Sequence, residues 1–216
     1  MENWSELKLK DICKIKGGKR LPQGHSLTEE ITCHPYIRAR DIKKGKINID
    51  NFEYIYESTF NKISNFIVNT NDICITIVAN IGDVGIITDN LNGASLTENA
   101  VKISIFDKEV NHFFLNYLLS SKYYKDYMSL LASGAAQAKL GIYKIENILI
   151  RVPRLKTQQK IAAILSAYDD LIETNNQRIA TLEAIAQQIY KEWFVRMRFP
   201  GWEHTPFHHG IPDGGS

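Results

Sequence analysis

The stretch from Gln158 to Phe194 places apolar residues at the spacing of one strand of a coiled coil. The intervals alternate between four and three residues without a break, through Ile161, Leu165, Tyr168, Ile172, Asn175, Ile179, Leu182, Ala186, Ile189 and Trp193. We call this set the heptad seam. A helix that packs only on its own domain follows a period of about 3.6 residues and drifts away from such a seam. The spacing therefore favours a long helix that pairs with another helix.

The partner of this helix is not evident, because the 216-residue sequence has only one stretch of this kind. Asn175 lies near the middle of the heptad seam, where a buried amide needs a matching group and fixes the register of pairing. Two alternatives are open at this point. The helix packs on its own domain alone, or it pairs with a helix from another chain.

The part of the chain before this helix predicts a mixed domain with a mostly β core. Segments rich in Ile, Val, Tyr and Thr, separated by Gly, Asn and Asp, indicate short strands. The predicted strands are 33–42, 46–55, 71–80, 83–89, 100–106 and 145–153. The fold class is therefore α+β. We expect a domain over residues 1–155, the long coiled-coil helix over 156–199 and a tail over 200–216.

Two helices are predicted with specific end signals. Apolar residues from Val110 to Leu131 recur at helical spacing, with Asp107 as the expected N-cap and Gly134 as the expected stop. Thr157 is expected to cap the long helix with its hydroxyl. That helix should run to about Arg198, where Phe-Pro-Gly follows.

Composition indicates an ordinary globular protein of the cytoplasm. The chain is 44% hydrophobic and 23% charged. No apolar run reaches the roughly 18 residues that a membrane span requires, and the first ten residues have no apolar core of a signal peptide. Its three cysteines are odd in number and far apart, which predicts buried thiols in a reducing compartment.

Basic residues are concentrated in three separate segments. Residues 8–20 hold six bases against one acid, residues 36–46 five against one, and residues 139–160 six against one. If the fold gathers these segments on one face, that face attracts phosphates. If it does not, the side chains are solvated cations pointing in different directions.

No motif of an active site is present in the sequence. The Walker loop, HExxH and G-x-S-x-G are missing. So are the Asn-Pro-Pro-aromatic motif of adenine methyltransferases and a glycine-rich S-adenosylmethionine loop. His204, His208 and His209 are close in sequence, but we predict no metal site and no cofactor in this chain. The sequence therefore favours a binding protein over an enzyme.

The residues around the long helix resemble the conserved helical region of type I restriction-modification specificity subunits. That region begins with a strand ending in Pro-Pro-Leu and ends in Trp-Phe-Val and Arg-Phe-Pro-Gly. The matching residues are Pro153, Leu155, Gln158, Lys160, Ile161, Trp193, Phe194, Val195, Arg198, Phe199, Pro200 and Gly201. Arg154 replaces the second proline, and Thr157 stands at an acidic position. Earlier blocks resemble the family's target recognition domain: WSELKLKDICKIKGGKR, YIRARDIKKGKI, NDICITIVANIGDVGII, LTENAVKI and SGAAQAKLGIYKIENI.

The resemblance implies a function without catalysis. Such subunits read double-stranded DNA and hold modification subunits, which bind S-adenosylmethionine and methylate adenine, and restriction subunits, which cut. They usually carry two recognition domains and two antiparallel helices. This sequence has one of each, and GIPDGG near its end resembles the junction to a second domain. We therefore expect a half-length form that acts as a homodimer through the heptad seam. The alternative is a free-standing dimeric DNA-binding regulator.

The resemblance does not identify the residues that read DNA, so these are predicted from chemistry. The glycine-hinged loop at Lys16–Arg20 suits close approach to a backbone. Arg38 and Arg40, two apart on a predicted strand, would share a face and suit guanine, and Gln137 suits adenine. The full set of DNA-binding candidates is Lys16, Lys19, Arg20, Arg38, Arg40, Lys43, Lys44, Asn80, Gln137, Lys139 and Lys144.

Overall fold

A computed structural model of the protein describes residues 4–133, 138–198 and 200. The chain divides into two compact units, Met1–Leu165 and Ser166–Ser216. The predicted α+β class with a long C-terminal helix is confirmed. No helix within the described ranges is long and apolar enough to cross a membrane.

The first unit mixes short strands and short helices. Its strands are β1 (Ser5–Lys8), β2 (Cys13–Gly17), β3 (Tyr36–Ile37), β4 (Ile42–Lys43), β5 (Lys46–Ile47), β6 (Ile73–Thr76), β7 (Val84–Ile86), β8 (Ser95–Leu96), β9 (Ala100–Ile105) and β10 (Leu149–Val152). Its helices are α1 (Leu9–Ile12), α2 (Glu57–Ile63), α3 (His112–Ser120), α4 (Lys122–Ala132) and α5 (Ile142–Glu146), followed by the long α6 (Leu155–Tyr190).

The centre of the first unit is a four-stranded antiparallel sheet in the order β2-β9-β6-β7. All four residues of strand β6 are buried. Because successive side chains of a strand point to opposite sides, β6 is buried on both faces of the sheet. Ile73 and Ile75 join a core cluster with helices α3, α4 and α5, whereas Cys74 joins a second cluster with Ile37 and Ile42. Smaller pairs of strands, β1 with β10, β3 with β8 and β4 with β5, surround this sheet.

All six predicted strands are shorter in the structure, and the segments 33–42 and 46–55 differ most. Only Tyr36–Ile37 and Ile42–Lys43 are strands within residues 33–42, because a 3₁₀ turn at Ala39–Asp41 interrupts them. The Asp41 carboxylate holds that turn by accepting a 2.9 Å hydrogen bond from the Arg38 backbone N–H. Residues 46–55 contribute only Lys46–Ile47. The expectation that Arg38 and Arg40 share a strand face is therefore wrong.

Helix boundaries also differ from the sequence expectations. The predicted helix over residues 110–131 is two helices, because Ser121 adopts an extended conformation and caps α4. Asn111, not Asp107, is the N-cap of α3: its side chain accepts a 2.9 Å hydrogen bond from the Phe114 N–H. Gly134, the expected stop, lies outside the described residues; α4 ends at Ala132.

The long helix begins earlier and ends earlier than predicted. It starts at Leu155, so Thr157 lies within its first turn and is not the cap. It ends at Tyr190, where a π-helical turn at Lys191–Val195 follows. Gln158 and Ala162 are buried in the first unit and Ile161 packs against the same core. Ile161, predicted as a dimerisation residue, therefore belongs to the core of its own domain.

Candidate nucleic-acid interface

Four loops meet at one end of the central sheet. The register pairs Gly17 of β2 with Val101 of β9, and Thr76 of β6 with Ala100 of β9. The end of β2, the start of β9 and the end of β6 therefore lie at the same edge of the sheet. The chain leaves or enters each strand there, so loops distant in sequence become neighbours.

Backbone hydrogen bonds join these loops side by side. Gly18 N donates to Ala100 O at 3.0 Å and Lys19 N donates to Leu96 O at 2.8 Å. Ile77 N donates to Asn99 O, and Leu140 N to Ile77 O, both at 2.9 Å. We call residues 17–20, 96–99, 77–80 and 138–140, in this spatial order, the loop row. Asn80 and Lys139, which were predicted separately, thus lie in adjacent loops that also share the Val78–Lys139 bridge.

Glycine at position 18 is required by contact with the protein's own backbone. A Cβ atom there would lie 2.0 Å from the carbonyl oxygen of Thr97 and 2.4 Å from that of Leu96. Gly17 has room for a Cβ, whose nearest neighbour would be an Ile142 side-chain atom at 3.9 Å. Close approach of this loop to a DNA backbone stays a prediction; the contact that requires glycine at position 18 is with the protein's own residues 96–97.

Cationic side chains of the loop row, and Lys16 directly before it, face solvent. Lys16, Lys19, Arg20 and Lys139 are all exposed. The Lys19 ammonium lies 5.5 Å from the centroid of the Phe66 ring, within the range of a cation–π interaction. These groups make one end of the sheet cationic, as a surface that contacts phosphates requires.

The exposed guanidinium of Arg20 is held by a carboxylate from the neighbouring loop. Its Nε donates a 2.8 Å hydrogen bond to Oε1 of Glu98. Burial opposes ionisation of Glu98, but the hydrogen bond from Arg20 and those from its own backbone and Thr97 prevail, so the pKa of Glu98 is lowered. Glu98 is therefore an anion at neutral pH and holds Arg20 in a defined orientation.

Arg38, a predicted base reader, is engaged within the protein. Its Nε and Nη2 each donate to the Asp41 carboxylate at 2.9 Å, Nη1 contacts Glu53, and only 12% of the side chain is exposed. Arg40 is 67% exposed and donates from Nη2 to Glu53 at 3.0 Å. These two arginines share acidic partners in a structural cluster, so Arg38 is not available at the surface to read a base.

Lys43 and Lys44 lie in a turn on the far side of the sheet from Lys16. The turn between β4 and β5 is fixed to edge strand β7, because Gly45 N donates to Val84 O at 2.8 Å. The buried side chain of Asn116 in α3 donates a 2.9 Å hydrogen bond to Gly45 O. Both lysines are exposed. The backbone of the turn is therefore held in place, and the two lysines are separated from Lys16 by the width of the central sheet.

The last two predicted DNA-binding residues are Lys144 and Gln137. Lys144 is half-buried and donates from Nζ to the Leu131 carbonyl, so its ammonium stabilises the end of α4. Gln137, predicted to read adenine, lies outside the described residues. No group of three or more His, Cys, Asp and Glu side chains that could hold a metal is found in the part of the chain that the structure describes.

The amino-acid sequence of this chain matches a known protein family. Residues 1–184 match the family described as the type I restriction modification DNA specificity domain. The chain belongs to this family. The match includes the whole loop row and continues through most of α6. The resemblance inferred from the sequence is thereby confirmed.

Specificity subunits from other organisms are similar to this chain. The MjaIX specificity subunit of Methanocaldococcus jannaschii is 29% identical over 204 residues, which is 90% of this chain and 44% of that protein. The MjaVIII subunit of the same organism is 26% identical over 192 residues, 87% of this chain and 44% of that protein. The chain thus spans less than half the length of these relatives.

A solved structure supports the fold. The S subunit of a type I restriction-modification system from M. genitalium superposes with a TM-score of 0.66 at 18% identity. The superposition covers 90% of this chain and 46% of the M. genitalium chain. At this identity the likeness establishes the shared architecture alone.

Sequence reasoning missed the residues that organise the loop row. Thr97 and Glu98 lie in the block LTENAVKI, and Tyr36 begins the block YIRARDIKKGKI. Neither block indicates what these side chains contact. Their roles depend on contacts across 17 or more residues, such as the 2.9 Å hydrogen bond from Tyr36 Oη to Lys19 O. The sequence holds one signal for this site, the acidic residue Glu98. It comes to lie next to the cationic loop that carries Arg20 only when the chain folds.

Proposed function

We propose that this protein is a DNA-sequence-specificity subunit of a type I restriction-modification system and reads one half of a bipartite target. The observation that carries the proposal is the family match over residues 1–184. The cationic loop row within that range supports it, because phosphate contacts position a reader and side chains at base edges specify. The protein acts in the cytoplasm.

The chemistry is assigned to partner subunits. Modification subunits bind S-adenosylmethionine and methylate adenine, and restriction subunits cut the DNA. This chain holds those subunits at the sequence that it recognises and catalyses nothing itself. The absence of methyltransferase motifs from its sequence supports this division of labour.

The second helix of the coiled coil comes from a second copy of this chain. Seam residues of α6 are exposed: Leu165 by 38%, Tyr168 by 62%, Ile172 by 57%, Ile179 by 53%, Leu182 by 64%, Ile189 by 42% and Trp193 by 36%. Ala186 and Asn175 are also exposed. Burying each large apolar side chain stabilises an assembly by about 1.5–3 kcal/mol. Covering this face is therefore a strong driving force for association.

The apolar face of α6 is wider than the heptad seam. Ile164, Leu171 and Ile185 lie one position before seam residues and are exposed by 59%, 53% and 46%. A simple two-stranded coiled coil buries only its two seam positions in each heptad. The additional width provides contact area for the modification subunits beside the paired helix.

Symmetry of the dimer determines the kind of target. A two-fold interface relates two identical recognition domains, so the two half-sites are identical and inverted. Antiparallel helices place the domains at opposite ends. At about 1.5 Å per residue, the span from Ile161 to Trp193 is roughly 50 Å, longer than the 34–36 Å of one turn of DNA. We therefore propose an interrupted palindrome as the target.

Co-expression with the adenine methyltransferase subunit of the same restriction-modification system tests the assignment. We expect the two chains to co-purify as a stable complex that transfers methyl groups to adenine in one sequence context, whereas neither chain alone does so. Sequence-specific DNA binding by this chain without any association with such a subunit would contradict the proposal and favour a free-standing regulator.

A further inference from the structure

We infer that Arg20 reads a guanine in the target half-site and that Glu98 is its positioning residue. This inference rests on the proposed DNA-reading function and assigns one base contact within it. Lys16 and Lys19 precede Arg20 in the same segment and then contact phosphates. The predicted cationic loop is thus divided into one residue that specifies and two that position.

The guanidinium of Arg20 is both exposed and oriented. Its side chain is 80% exposed, yet Nε donates to Glu98 Oε1 at 2.8 Å. Among the described residues, neither terminal nitrogen of Arg20 has a hydrogen-bond partner. The carboxylate therefore restrains the side chain through Nε and leaves the two terminal nitrogens, in the part of the chain that the structure describes, without a partner.

Glu98 is itself fixed. Its second carboxylate oxygen accepts a 3.1 Å hydrogen bond from the Thr97 hydroxyl, and only 29% of its side chain is exposed. The backbone of the Arg20 loop is held by the bond from Lys19 N to Leu96 O at 2.8 Å and by that from Tyr36 Oη to Lys19 O at 2.9 Å. Both ends of the Arg20–Glu98 contact are thus fixed before DNA binds.

Such a preoriented fork matches guanine. In the major groove guanine presents two acceptors, O6 and N7, whereas adenine presents an acceptor beside an amino donor. Two parallel N–H donors of one arginine fit the first pattern and meet a donor in the second. An oriented arginine also loses less side-chain freedom on binding, which increases its discrimination. We expect this contact to favour guanine by roughly ten- to a hundredfold over other bases.

The two arginines of the basic segment at residues 36–46 are poorer candidates. Arg38 has both carboxylate oxygens of Asp41 on its guanidinium and is largely buried. Arg40 is exposed, but one of its terminal nitrogens, Nη2, donates to Glu53. Arg20 is held by Nε instead and keeps its terminal pair unoccupied among the described residues. Arg151 provides a matched control, because it is 75% exposed and its Nε donates to Oε1 of Glu6 at 3.4 Å, outside the loop row.

The inference is tested by selection of bound sequences from randomised duplex DNA. The chain is used with its adenine methyltransferase partner, in parallel for the parent, R20A, R20K, E98A, E98Q and R151A. Thermal unfolding of each variant verifies folding. We expect the parent to require guanine at one position of each half-site. R20A and R20K should lose the preference at that position alone, because lysine keeps the charge but lacks the fork.

The acid variants test positioning. E98A should weaken the same guanine preference several-fold with little change at other positions, and E98Q, which retains an acceptor for Nε, should restore part of it. R151A should leave the selected sequence unchanged. If R20A instead lowers binding to all sequences equally and retains the guanine, or changes nothing, the inference is wrong while the proposed function stands. A parent that selects no sequence would contradict both.

Discussion

The backbone N–H of Asn111 donates a 2.9 Å hydrogen bond to Oε1 of Gln158, 47 residues away. The amide of Gln158 donates in turn to the carbonyls of Glu109 and Pro153 at 3.0 and 2.8 Å. Gln158 is 1% exposed. One buried amide thus attaches the first turns of α6 to the segment that begins α3, and fixes where the long helix leaves the domain.

Replacing Gln158 by alanine should lower the free energy of unfolding by about 2 kcal/mol or more. The change leaves the Asn111 N–H and two carbonyls without their partner in a buried site. Urea unfolding measures the effect. Gln159 is adjacent and exposed, so Q159A is the control and should be within about 0.5 kcal/mol of the parent. Equal effects of the two changes would refute this role of Gln158.

The paired glycines of the loop row should respond differently to an added methyl group. In G18A the Cβ meets two carbonyl oxygens of residues 96 and 97 at 2.0–2.4 Å, so the loop has to shift. We expect a loss of roughly 1–3 kcal/mol in stability and weaker DNA binding. G17A, with no atom within 3.4 Å of the new Cβ, should be close to the parent in both calorimetry and DNA titration.

Neutralising Lys16 and Lys19 together should weaken binding to all DNA sequences. Each phosphate contact contributes about 0.9 to the slope of log affinity against log salt concentration, so the double alanine variant should lose about 1.8 from that slope. Lys10 is exposed in α1, at the opposite end of β2. K10A should therefore keep the full slope. An unchanged slope in the Lys16–Lys19 variant would show that these lysines do not contact phosphates.

Aspartate at Leu165 and Ile179 should convert the dimer to monomers and abolish methylation. Both side chains are exposed by 38% and 53% within one chain, so the change should spare the domain fold while placing charges in the paired face. The control is A167D with T181D, which has the same spacing two positions along the helix, about 200° around its axis. Analytical ultracentrifugation at micromolar concentration distinguishes the two. A parent that is already monomeric without partners would contradict the proposed homodimer.

Patterns that depend on neighbours in sequence were predictable here. The heptad seam predicted the long helix, and alternating β-branched residues predicted β6 and β9, because both signals arise from the period of one element. The resemblance of the two ends of α6 to a known family gave the class of function.

Features that depend on distant contacts were not predictable. Arg38 has the residue type of a base reader, and only the fold shows that Glu53 engages it in addition to the nearby Asp41. Ile161 keeps the spacing of the seam, but it packs against the domain core because Gln158 holds the start of α6 there. Cys33 is exposed although the other two cysteines are buried as expected.

The most direct test of the account is a map of methylated adenines in the DNA of cells that carry this gene together with its modification subunit. A two-fold dimer of identical readers predicts an interrupted palindrome in which the two half-sites are inverted copies, each with the guanine assigned to Arg20. The motif should disappear in the L165D–I179D variant. A methylated motif with two different half-sites, or no methylation that depends on this gene, would contradict it.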